Sequence, residues 1–71
     1  MTLTAKQSAI LAYIKESISL RGYPPTVREM GAKFEVHINA VHGHLRLLEK
    51  HGAIVRERGK ARAIRIVETL T

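Results

Sequence analysis

The spacing of apolar residues changes once along this chain, at Gly52, and that change limits the folds open to it. Up to Lys50 the apolar residues recur every three or four positions, as on a helix with one buried side. Beyond Gly52, Ala53-Ile54-Val55-Arg56-Glu57-Arg58 and Ala63-Ile64-Arg65-Ile66-Val67 are β-branched and alternating, as paired strands are. Within the first part, breaks divide the pattern. Gly22 and the extended Pro24-Pro25 pair close one helix, and His51-Gly52 closes the last. Helices are expected at about residues 5–21, 27–34 and 39–50, with strands at about 54–58 and 63–67.

Local signals place the helix starts. Thr4 with Gln7, and Thr26 with Glu29, each have the spacing of a capping box, in which two side chains satisfy the open amides of a first turn. Ile10, Ile14 and Ile18, widened by Leu11 and Tyr13, form the expected inner stripe of helix one. Val27, Met30, Gly31 and Phe34 form that of helix two, and Ile38, Val41, Leu45 and Leu48 that of helix three. Gly31 is unfavourable in a helix by about 1 kcal/mol relative to alanine. Close approach of a neighbouring helix would explain it. Gly59-Lys60-Ala61-Arg62 supplies the turn of the hairpin. The order is that of a winged helix-turn-helix: mainly α, three helices followed by a two-stranded antiparallel wing. One domain is expected over residues 1–71.

The outward side of helix three carries the functional signal. At about 100° per residue, Asn39, His42, Gly43, Arg46 and Lys50 fall in one sector opposite Val41, Leu45 and Leu48. Asn pairs well with adenine and Arg with guanine, and a bare glycine lets a base edge approach the backbone. The start of such a helix reaches furthest into the groove. Asn39, Ala40, His42 and Gly43 are therefore the expected base readers, and Thr26, Arg28, His37, Arg46, Lys50, Lys60 and Arg62 the expected backbone contacts. Each has a plainer reading. The sector resembles any solvated helix face; Asn39 has the chemistry of an N-cap; His37 suits an exposed turn; strand arginines often serve solubility.

Charge favours the first reading. Lys and Arg number 12 against 6 acidic residues, giving a formal net charge of +6. Such a balance selects a polyanionic partner, nucleic acid or an anionic surface. An acidic protein docking on a winged-helix module is the alternative. The sequence has no cysteine, which excludes disulfides and cysteine zinc sites. His37, His42, His44 and His51 lack the spacing of a metal motif, and no nucleophile stands in a recognisable catalytic arrangement. No enzyme activity, cofactor or metal is expected. Lys6, Lys15 and Glu16 interrupt the N-terminal apolar residues, so neither a signal peptide nor a membrane span is expected, and the location is read as cytoplasmic.

Particular residues carry a family resemblance. LTAKQSAILAYIKESISLRGYPPTVREM, with its Leu-Thr start and its Gly-aromatic-Pro-Pro-Thr-x-x-Glu passage, resembles the DNA-binding domain of the LexA repressor family. NAVHGHLRLLEKHGAI and GKARAIRI resemble that family's recognition helix and wing. The resemblance implies a transcriptional repressor of the SOS-response type, reading a palindromic operator in double-stranded DNA; the domain itself is read as monomeric or as a weak homodimer on DNA. It makes Asn39 and Ala40 the base-contacting Asn-Ala pair, sets His42 and Gly43 at the next reader positions, and puts His37 near an operator-contacting turn.

The departures matter too. The turn from Phe34 to Asn39 is one residue shorter than usual, Glu35 stands where glycine is common, and His42 and Gly43 differ from familiar readers. The family's self-cleaving peptidase domain is not in this sequence, which fits either an excised domain or a stand-alone regulator.

Overall fold

A computed structural model describes residues 3–57 and 64–67. Its elements are α1 (Ala5–Arg21), α2 (Val27–Phe34), α3 (Ile38–Lys50), β1 (Ile54–Arg56) and β2 (Ile64–Ile66). Both capping boxes are formed. The Gln7 amide donates to Thr4 Oγ1 at 3.1 Å while the Thr4 amide donates to Gln7 Oε1 at 3.0 Å. Thr26 and Glu29 repeat the exchange at 3.0 and 2.7 Å. Each box satisfies open amide donors of a first turn, typically worth about 1 kcal/mol.

Helix α3 is the centre of the fold, packing on α1, on α2 and on β1. Its Val41, Leu45 and Leu48 are fully buried with Ile10 and Ile14 of α1 and Met30 of α2, and Ile54 and Ile64 of the strands close the core. In α1 the buried stripe runs Gln7, Ile10, Ile14, Ser17, whereas Ile18 is only partly covered. Apolar spacing alone points to Ile18, but neighbouring elements set the rotation of α1, and that rotation brings two polar residues inward. Ile38, expected on the inner stripe of α3, is 38% exposed because it lies at the helix entrance, beyond the packed turns. Tyr13 of α1 meets Phe34 of α2 edge-on, with centroids 5.6 Å apart. Lys33 sits over the Tyr13 ring and Lys6 over the Phe34 ring, so an aromatic pair flanked by cations joins the two helices.

β1 and β2 are antiparallel, with Ile54 opposite Ile66, Val55 opposite Arg65 and Arg56 opposite Ile64. Alternation turns Ile54 and Ile64 onto the core and leaves Val55 and Arg65 exposed. The strands are shorter than the alternating sequence suggests. Glu57 and Val67 lie outside the ladder, although the Val67 amide still donates to the Ala53 carbonyl at 2.9 Å. The expected strand ends Arg58 and Ala63, and the turn Gly59 to Arg62, lie outside the described residues.

Candidate nucleic-acid interface

The entrance to α3 is held by His37. Its Nδ1 accepts the Asn39 amide at 3.0 Å, and its carbonyl accepts the amides of Ala40 at 2.9 Å and Val41 at 3.1 Å. His37, not Asn39, is therefore the N-cap, and α3 begins at Ile38. This removes capping as the explanation for Asn39, whose exposed side chain projects from the first turn. Sequence reasoning missed the cap because histidine is outside the usual Ser, Thr, Asp and Asn set.

Asn39, Ala40, His42, Arg46 and Lys50 are all exposed, on the side of α3 away from Val41, Leu45 and Leu48. Gly43 lies among them, and a Cβ added to it would meet nothing within 4 Å. Packing does not require that glycine. Gly31 differs, since a Cβ there would stand 3.1 Å from the Val36 carbonyl oxygen, with Ile38 and Val41 side-chain carbons at 3.9 Å. The expectation of a crowding helix is thus corrected: the turn backbone is the nearest obstacle, and α3 makes only ordinary contact.

That turn has a defined shape. The Val36 amide donates to the Gly31 carbonyl at 3.0 Å, a closure of Schellman type, with Glu35 in the left-handed region at φ 54°. Side chains other than glycine and asparagine are rare there, because Cβ crowds the following carbonyl. Glu35 holds a glycine-type conformation without being glycine.

Other cations are distributed unevenly. Arg28 is exposed on α2, and Thr26, although its oxygen accepts in the capping box, remains partly accessible. A capping hydroxyl keeps its proton for a further acceptor. Arg21 pairs with Glu29 at 3.6 Å and lies over the Tyr23 ring. In the hairpin, Arg56 turns back to α3, where its Nε meets Glu49 Oε1 at 3.0 Å. Its charge is already matched. Arg65 points outward from β2, while the expected wing contacts Lys60 and Arg62 lie outside the described residues. Among the described residues no group of His, Asp or Glu is placed to hold a metal ion, and no helix is long and apolar enough to cross a membrane.

Comparison with known proteins agrees with this geometry. The family model of the LexA DNA binding domain matches residues 1–63. The chain is 52% identical over 64 residues to a LexA repressor of Sorangium cellulosum, covering 89% of this chain and 28% of that protein. Against a LexA repressor of Thermotoga neapolitana it is 44% identical over 68 residues, covering 96% and 34%. With one from Staphylococcus aureus the identity is 47% over 70 residues, covering 97% and 34%. The chain thus spans about a third of the length of these relatives. A match running through all three helices and into the hairpin, on a winged-helix architecture, establishes that the chain belongs to the LexA DNA-binding domain family.

Proposed function

We propose that this chain binds double-stranded DNA sequence-specifically, as the operator-reading part of a cytoplasmic transcriptional repressor of the SOS-response type. The carrying observation is the outer face of α3, where Asn39, His42, Arg46 and Lys50 stand exposed opposite a fully buried apolar stripe. Asn39, Ala40, His42 and Gly43, in the first turns, read base edges in the major groove. Thr26, Arg28, His37, Arg46, Lys50 and the wing residues Lys60 and Arg62 contact phosphates, which supply most of the affinity and all of its salt dependence. The role is binding, not catalysis. On a palindrome, two copies meet as a weak homodimer, and linkage raises their joint affinity.

Selection of preferred sites from random duplex DNA tests this reading. The expected result is an inverted repeat whose half-site spacing matches a helical turn or a multiple of it. Absence of any duplex binding at low salt would overturn the proposal and leave docking of an acidic protein as the use of the basic face. Asn39→Ala sharpens the assignment. It should narrow the gap between selected and random DNA by about 1–3 kcal/mol, the usual value of a bidentate base contact, while thermal stability stays near wild type.

A further inference from the structure

We infer that His37 is a positioning residue whose neutral imidazole sets the register of the reading helix, so that acidification lowers DNA discrimination. The inference rests on the reading of α3 as the DNA-reading element. His37 makes the only side-chain cap at the start of α3 among the described residues, and its bond goes to the amide of Asn39. The residue that fixes the first turn is thereby joined to the first expected base reader.

The chemistry of the cap is conditional. An imidazole nitrogen accepts a hydrogen bond only through a lone pair, and in the imidazolium both nitrogens carry protons. Ser, Thr and Asn caps have no such state in the physiological range; histidine does. Protonation of His37 deletes the bond to the Asn39 amide and adds a positive charge at the positive end of the α3 dipole. The same charge lies beside the expected phosphate path, where it raises affinity for any duplex. The two effects oppose each other in total affinity and combine in discrimination: random DNA gains, and DNA that requires an ordered first turn loses.

Lys33 and Glu35 on the α2 side of the turn and His42 on α3 are the ionisable neighbours along the chain. None of them forms an ion pair with His37, and Lys33 is engaged with the Tyr13 ring. His42, His44 and His51 carry the same imidazole group. A wild-type pH profile alone therefore does not isolate His37, whereas the difference between variants does.

The test uses the full chain, a duplex carrying its selected site and a random duplex of equal length, at about pH 8 and about pH 5.5, which bracket ordinary imidazole titration. Wild type, His37→Ser and His37→Ala are compared by the ratio of their two affinities, with thermal melts alongside. The wild-type ratio should fall about fivefold more than that of His37→Ser on acidification, a fall of the size expected for loss of one N-cap. Ser caps at both pH values and should hold the high ratio, while loss of the His37 phosphate contact lowers both affinities together. Ala should show the low ratio at both, and if it does not fold, wild type against Ser decides alone. Identical pH profiles for wild type and Ser would overturn the inference, as would shifts in melting temperature with no change in ratio. Failure of wild type to prefer its selected site at pH 8 would instead remove the DNA-reading proposal beneath it.

Discussion

Helices α2 and α3 both close with an amide bonded to the carbonyl five residues back, with different residues at the left-handed position before it. At the end of α3, Ala53 donates to the Leu48 carbonyl and Gly52 to that of Glu49, both at 2.9 Å, with Gly52 at φ 77°. At the end of α2, Val36 donates to Gly31, but the left-handed residue is Glu35. The first turn leads into the hairpin and uses the residue that suits the conformation. The second leads into α3, the helix proposed to read DNA, and retains a strained one, with the unforced glycine Gly43 and the histidine cap close by in sequence. Departures from locally favourable chemistry thus gather around the start of α3. Such clustering is expected where geometry serves binding more than stability.

Substitutions break or sharpen this contrast. The largest effect belongs to Gly52→Ala, which places a Cβ in the left-handed region and should destabilise the domain by about 1–2 kcal/mol. Thermal melting would register this as a drop of several degrees, with the preference among DNA sequences unchanged. Next is Glu35→Gly, which relieves the same strain at the other turn. A gain of about 0.5–1 kcal/mol is expected in denaturant unfolding, reduced by the greater freedom of glycine in the unfolded chain. A loss of stability there would show that Glu35 makes compensating interactions and would erase the contrast.

Gly31→Ala tests the turn from inside. Its gain in helix propensity, about 1 kcal/mol, opposes the push of Cβ against the Val36 carbonyl, so net stability should change by less than about 1 kcal/mol. The displaced turn should nevertheless reduce the preference for selected over random DNA in a competition assay. Smallest is Glu49→Ala. The Arg56–Glu49 pair is substantially exposed, at 26% and 36% for the two side chains, and such pairs contribute at most about 1 kcal/mol. Freed Arg56 becomes available to phosphate, and the salt dependence of DNA binding should steepen by up to about one counterion. An unchanged slope would place Arg56 away from the DNA path.

Much of this architecture is written locally. Capping boxes need only residues three apart, so Thr4–Gln7 and Thr26–Glu29 are legible in sequence and formed in the structure. The loss of helical spacing after Gly52 likewise announces the hairpin, because strand and helix periods cannot both fit one apolar pattern. The His37 cap was less legible, although its backbone role is also local, because many exposed histidines make no such bond.

What the sequence determined by itself is the order of elements, the two capped starts, the basic balance and the apolar stripe of α3, all set by short-range spacing and composition. Tertiary structure decided the burial and pairing that such spacing leaves open. It turned Gln7 and Ser17 into the interior, left Ile38 exposed, bent Arg56 onto Glu49 and set the Val36 carbonyl against Gly31. Those outcomes depend on how α1, α2 and β1 close around α3. Burial and pairing across elements are properties of that closure, and no window of neighbouring residues contains them.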